Sequence, residues 1–428
     1  MIATLFVACV VLLAVGVPVA FALAGGTLAA MLYSGSMPLL ALPKYMFSGI
    51  DIFALEAVPF FILTAELMTG GALSEVLLRF ASQFVGRFRG GMGHTNILTL
   101  TFFSGISGSA LADAAGPGAI MIRMMRNDGY DPAYAAALTA ATSILGPIIP
   151  PSISMIIYAL AYPEINLVGL LIAGIVPGIL IAAAMAVINH LTSVRRNYRG
   201  SPETFTWREY LANTWRALPA ILLPVLILGG IASGAFTPTE ASVVAVFYAL
   251  FAGRVIYRTL QWSMLPAILA RSALMTASVL IIVATSAAFA WMLTVSRLPQ
   301  ELSTWIVGLG LSPIAFLFAV NVLLLIFGIF IEPLPGIVVL VPILAPIAHA
   351  LGINDLQFGI IMIVNLTMGM ITPPVGGLLF VTSIVAKVSL TKLVQELWPF
   401  LWAQLTVLAL LSLVPSLSSG LPAFFGYK

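Results

Sequence analysis

Two stretches of this chain share the spacing G-x-x-x-P-P inside long apolar runs: Gly146-Pro147-Ile148-Ile149-Pro150-Pro151, followed by Ser152, and Gly369-Met370-Ile371-Thr372-Pro373-Pro374. Paired prolines remove two backbone donors and push the preceding residue out of helical geometry, so each pair predicts a helix that stops and restarts. Such a break leaves bare carbonyls on one side and free N–H groups on the other. Carbonyl oxygens suit a hard cation such as sodium, and the positive end of the restarting helix suits a carboxylate. About 35 residues before each pair stands a polar-tipped apolar segment, Ser104 to Gly118 and Gly328 to Gly336. The first carries Ser107-Gly108-Ser109 and Asp113, the second Glu332. Acids inside apolar runs are costly and mark function. Substrate ligands are therefore expected among Ser107, Ser109, Asp113, Ser152 and Glu332. Sodium ligands are expected at the carbonyls and hydroxyls of Ser107, Gly108, Gly146, Pro150, Gly328, Gly336, Gly369 and Thr372.

Other polar residues read differently. Glu56 and Glu66 are expected at helix ends or paired on supporting helices, and Thr237-Pro238-Thr239-Glu240 has the pattern of a capping box with proline at the first helical position. His94, His190 and His349 are scattered, without the spacing of a transition-metal site. No phosphate-binding G-x-x-x-x-G-K-[ST] occurs, so ATP hydrolysis would have to come from another chain. The single Cys9 excludes an intrachain disulfide.

The elements that position these residues follow from composition. Of 428 residues, 61% are hydrophobic and 8% charged, against roughly 25% charged in an ordinary soluble domain. With a mean hydropathy of +1.12, the chain reads as an all-α polytopic membrane protein, with length for on the order of ten to twelve crossings. Residues 1–24 lack the basic start of a cleaved signal and read as an uncleaved first helix. The net charge of +3 resides in short loops, which points to membrane orientation and away from nucleic acid. Arg195 to Arg216, with Trp207, Tyr210 and Trp215, reads as an amphipathic arm at the cytoplasmic interface.

The two G-x-x-x-P-P segments define a repeat with a register near 223 residues, which aligns Ser109 with Glu332. In the first half, Arg79, Arg87, Arg89, Arg123 and Arg126 flank the polar-tipped segment, while in the second half Lys387 and Lys392 follow the Pro-Pro helix. That reversal predicts inverted repeats. About 33 residues separate Arg89 from Arg123, fewer than the roughly 40 that two crossings need, so the segment reads as a re-entrant hairpin. The stretch between Pro313 and His349 is its expected counterpart from the opposite side.

Taken in order, Pro59-Phe-Phe-Ile-Leu-Thr-Ala-Glu66, Ser107-Gly-Ser-Ala-Leu-Ala-Asp113, Pro147-Ile-Ile-Pro-Pro-Ser152, Phe236-Thr-Pro-Thr-Glu-Ala241 and Ile371-Thr-Pro-Pro-Val-Gly376 resemble the signatures of the large membrane subunit of tripartite ATP-independent periplasmic (TRAP) transporters. The similarity covers essentially the whole chain. Many members of that family have Asp where this chain has Glu332. The resemblance implies an elevator-type secondary transporter in the bacterial inner membrane, taking up a small organic anion such as sialic acid, a sugar acid or a four-carbon dicarboxylate with Na+ as coupling ion. It implies transport-domain segments at 91–161 and 313–385, each a hairpin plus a broken helix, within scaffold at 1–90, 162–216 (with the arm), 217–312 and 386–428. It also implies a small four-helix membrane subunit and a soluble periplasmic substrate-binding protein as partners, beside membrane lipid. A stand-alone cation-coupled carrier or channel with similar repeats is the alternative. A membrane enzyme is disfavoured because no nucleophile stands with a base and no metal motif occurs.

Overall fold

The computed structural model describes residues 1–35, 37–69, 73–200 and 205–427, and all regular structure among them is helical. Local chemistry sets many helix starts. Asp131 accepts the N–H groups of Ala133 and Tyr134 ahead of a helix that opens with Pro132. Glu240 closes the expected capping box, with Thr237 N–H donating to its carboxylate at 2.8 Å and Glu240 N–H donating to the Thr237 hydroxyl at 3.2 Å. A second capping box, Thr206 with Glu209, opens Trp207–Ala232. That helix runs unbroken through residue 216, so the basic aromatic stretch from Trp207 onward shares one helix with the apolar run after it; residues 201–204 lie outside the described residues.

Seven described helices are long and apolar enough to cross a membrane, Leu265–Val295 being the longest within one helical run. Fewer helices reach spanning length than the expected number of crossings, because several apolar runs fold as shorter pieces. Residues 2–24 are not one helix. Ile2–Ala14 ends at a turn where Gly16 takes φ +88°, and Val19–Ser34 packs back against it. Uniform hydrophobicity hid the turn, but Gly16 and Pro18 supply its left-handed corner and its helix start.

Helix ends reproduce the 223-residue register. Gly91–Ser107 and Pro313–Phe330 end at positions 223 apart, as the helices beginning at Ala110 and Pro333 start 223 apart. Pro132–Ser143 and Asp355–Gly369 begin with the same offset, as do Leu167–Ala173 and Leu390–Leu413. Each repeat therefore contains a helical hairpin and a broken helix. The first hairpin is Gly91–Ser107 with Ala110–Ala115 and Pro117–Asn127; the second is Pro313–Phe330 with Pro333–Ala350. The broken helices are Pro132–Ser143 with Ile153–Ala161, and Asp355–Gly369 with Gly377–Ala386. Both peptide bonds between the paired prolines are cis.

The two hairpins enter the bundle from opposite ends. The first broken helix starts beside the base of the first hairpin, where the Asp131 N–H meets the Tyr198 hydroxyl at 3.1 Å. Its exit half, Ile153–Ala161, packs on the second hairpin. The exit half of the second broken helix, Gly377–Ala386, packs on the first hairpin, and Arg126 there reaches the Ala386 carbonyl at 3.4 Å.

Leu167–Arg196 and Leu390–Leu413 pack on this core. Gln404 donates to the Ala141 carbonyl at 2.8 Å, Tyr134 donates to Asn189 at 2.9 Å, and Gln357 donates to the Leu411 carbonyl at 2.9 Å. Buried side-chain amides bind these helices to the core because an unmatched amide in an apolar interior is expensive. Ala57–Thr69 packs instead with Pro238–Phe251 and Leu265–Val295. Glu66 pairs with Arg271 at 2.9 Å between these helices, while Glu56, itself exposed, ends a short turn.

Candidate functional site

Both hairpin tips and both breaks converge on one cavity, which with its mouth spans about 500 Å3. Gly108, Ser109, Ala110 and Leu111 come from the first tip, and Glu332, Pro333 and Leu334 from the second. Pro147, Ile153 and Ser154 come from the first break and Met370 from the second. Ile62, Met275 and Val279 complete the wall from Ala57–Thr69 and Leu265–Val295.

The first break builds a helix start with unused donors. Ser152 caps Ile153–Ala161, accepting the Met155 N–H at 3.3 Å, while its own hydroxyl donates to the Pro147 carbonyl at 2.5 Å. Among the described residues the N–H groups of Ile153 and Ser154 have no acceptor, as the first turn of a helix leaves them. Gly108 lies over this helix start in the left-handed conformation, φ +61°, and a Cβ there would stand 3.3 Å from the Ile153 nitrogen. Glycine thus lets the tip approach without covering the donors. Ser154 is 2% exposed, and its hydroxyl has no partner among the described residues. Together these groups suit a carboxylate.

Asp113 does not face the cavity. It is fully buried, accepting the Ser107 hydroxyl on Oδ1, with Ser104 Oγ 3.0 Å from Oδ2. Ser104 also lies 2.7 Å from the Leu100 carbonyl, and its one proton serves one acceptor at a time. Ser109 N–H meets Ser107 Oγ at 3.3 Å, so Asp113 holds the tip closed through Ser107. Gly146 abuts this lock, and a Cβ there would stand 2.8 Å from the Ser109 carbonyl carbon and 2.9 Å from Asp113 Oδ2.

At the second tip, Glu332 stands at the N-cap position of Pro333–Ala350 without capping it. Its carboxylate is exposed in the cavity, with no hydrogen bond or ion pair among the described residues. Gly369 meets Gly328 backbone to backbone, and Gly336 lies against the Leu366 side chain. Thr372 donates back into its own helix, to the Met368 carbonyl at 2.9 Å.

Of the expected ligands, Gly108, Ser109 and Glu332 reach the cavity. Ser107, Asp113 and Ser152 spend their side chains on the tip lock and the break, and Gly146, Gly328 and Gly369 serve close packing. Pro150, Gly336 and Thr372 lie off the cavity wall. Ser154 and Ser104 escaped sequence reasoning. Ser154 could have been found as the second residue of the restarting helix, whereas Ser104 needs the hairpin's register. Ser152→Ala removes the helix cap and the bridge to Pro147 together. A lost cap costs about 0.5–2 kcal/mol, so a lowered thermal unfolding midpoint is expected, and an unchanged midpoint would show that the break holds without Ser152.

The family profile described as the tripartite ATP-independent periplasmic transporter, DctM component, matches residues 6–417. The sialic acid TRAP transporter large permease protein SiaM of Vibrio cholerae is 39% identical over 417 residues, covering 97% of each chain. The C4-dicarboxylate TRAP transporter large permease protein DctM of Pseudomonas aeruginosa is 40% identical over 381 residues, covering 89% of each. Among solved structures, the Alcanivorax borkumensis YdaH transporter superposes with a TM-score of 0.64 over 90% of this chain and 88% of that one, at 14% identity, a likeness of fold. These relatives are transporter permeases and not enzymes. The chain belongs to the DctM family, the large permease component of TRAP transporters in the bacterial inner membrane.

Proposed function

We propose that this permease couples the inward movement of sodium to uptake of a small organic anion, whose carboxylate docks at the start of Ile153–Ala161. The observation that carries this reading is the convergence of both tips and both breaks on one cavity with uncapped N–H groups, the free Ser154 hydroxyl and Ser109. A helix start and neutral donors hold an anion without the cost of burying a cationic side chain. Sodium supplies the opposite charge. Asp113 is a fully buried carboxyl with no Lys, Arg or His in ion-pair reach among the described residues, and a buried carboxylate needs a partner. The Ser107 and Ser104 hydroxyls adjoin it and Gly146 of the first break abuts it, a hard-oxygen environment of the type sodium accepts.

An elevator movement is the mechanism that fits the packing. Among the described residues, Ala57–Thr69 and Leu265–Val295 line the cavity with the apolar side chains Ile62, Met275 and Val279, a non-directional surface along which the hairpin core can slide. In this reading the hairpins are re-entrant, the first from the cytoplasm and the second from the periplasm, following the excess of arginine around the first. A small four-helix membrane subunit covers the scaffold. A soluble periplasmic binding protein delivers the substrate, and sialic acid, sugar acids and four-carbon dicarboxylates remain the substrate classes to be tried first.

The test is uptake into proteoliposomes carrying the permease with its small subunit and binding protein. Accumulation is expected with an inward sodium gradient and none with a proton gradient in sodium-free medium. Uptake driven by protons alone defeats sodium coupling; uptake without the binding protein defeats the tripartite reading.

A further inference from the structure

The cavity contains one charged side chain, Glu332, and no Lys or Arg among the described residues that line it. The nearest turn of each scaffold helix changes that. Ile62 and Glu66 are four residues apart on Ala57–Thr69, and Met275 and Arg271 four apart on Leu265–Val295, so each pair shares a helix face. Ile62 and Met275 line the cavity, and Glu66 and Arg271 form an ion pair, Arg271 Nε to Glu66 Oε2, at 2.9 Å. The two helices are therefore antiparallel at this level, and the pair stands one turn, about 6 Å, along both helix faces from the cavity wall. That direction leads to the arginine-rich end of the bundle: Ala57–Thr69 continues toward Arg79 and Arg87, and Leu265–Val295 begins after Arg254 and Arg258. The Arg271 side chain is 54% exposed and that of Glu66 19%.

We propose that Arg271 and Glu66 form an anion-selective gate at the cytoplasmic mouth of the cavity. Arg271 draws anions into the mouth, and Glu66 sets how strongly by partly neutralising it. Arg271 is more than half exposed, so its pairing with Glu66 is weakened and a substrate carboxylate can replace Glu66 beside the guanidinium and then leave it. Arginine suits such an exchange because its planar fork accepts one carboxylate after another in the same geometry. The gate rests on the reading that the cavity carries an organic anion and that this end faces the cytoplasm.

The electrostatic potential at the mouth can be measured without knowing the substrate. In the full chain with Cys9→Ser and Met275→Cys, purified in detergent, the thiol at position 275 reports on the cavity next to the gate. Its reaction rates with sulfonatoethyl methanethiosulfonate, an anion, and trimethylammonioethyl methanethiosulfonate, a cation, give a ratio. Removing one charge about 6–10 Å away is expected to move that ratio roughly tenfold. Arg271→Gln should lower the anion-to-cation ratio, Glu66→Gln should raise it, and Arg271→Lys should keep it near the parent value. Glu66→Gln leaves Arg271 in place and predicts the opposite sign, so a folding defect in the arginine variant cannot imitate the result. Both Gln variants leaving the ratio unmoved, while each elutes as the parent does in gel filtration, would overturn the gate and turn Arg271 toward lipid. The function is tested apart from this. Sodium-driven uptake with an unmoved ratio sinks the gate alone, and a shifted ratio without sodium-driven uptake sinks the coupling and leaves the gate standing.

Discussion

Gly369→Ala is expected to abolish uptake, and Gly146→Ala to reduce it strongly, with both proteins still inserted in the membrane. At Gly369 the added methyl collides with the Cα and carbonyl carbon of Gly328 and lies 2.7 Å from its oxygen. At Gly146 it lies 2.8 Å from the Ser109 carbonyl carbon and 2.9 Å from the Ala110 nitrogen. Backbone cannot rotate aside as a long side chain can, so the hairpins themselves must withdraw. Overpacking in a filled interior costs about 1–3 kcal/mol, and here it falls on the tips that enclose the cavity. Gly229→Ala is the control, because nothing stands within 4 Å of a Cβ there and alanine favours a helix interior. Uptake and thermal midpoint measured together decide the matter. Normal transport by Gly369→Ala would mean that the second hairpin need not seat against its broken helix.

Asp113 carries the second large effect, and two substitutions separate its tasks. Asp113→Ala leaves the buried Ser107 hydroxyl without its acceptor, while Ser104 keeps the Leu100 carbonyl. A buried polar group left unsatisfied costs about 1–3 kcal/mol, so this variant is expected to lose both stability and uptake. Asp113→Asn keeps the volume. Its carbonyl can accept from Ser107 while its amide donates to Ser104, whose proton then rests on the Leu100 carbonyl. The lock survives but the negative charge is gone. A thermal midpoint near the parent value with a large loss of sodium-dependent uptake is the expected combination. Asparagine that transports with an unchanged sodium requirement would place the coupling ion away from Asp113.

Much of the architecture was legible in one dimension. Apolar composition dictates a helical bundle, and the Pro-Pro pairs dictate where two helices break, because a missing donor and a ring clash act on their own chain whatever surrounds it. The repeat of G-x-x-x-P-P and the shift in register from Ser109 to Glu332 carried the pairing of the halves, and helix ends 223 residues apart agree with it. Thr237 and Glu240 formed their box because capping needs only neighbours in sequence.

Tertiary structure alone decided which polar atoms remain free. Ser107, Asp113 and Ser152 have the chemistry of ligands, yet each turns its side chain from the cavity to a partner inside the protein, across a hairpin or a break. Ser154, two residues beyond an expected ligand, keeps its hydroxyl because its neighbours turn toward the cavity without offering an acceptor. The packing partners of Leu167–Arg196 and Leu390–Leu413 were likewise invisible, since an apolar span looks alike whichever helices it packs on. Gln404, Asn189 and Gln357, amides matched across helices far apart in sequence, tie them to the core. Sequence specifies the bonds a residue can make; which of them are used depends on distances that exist only after the helices have packed.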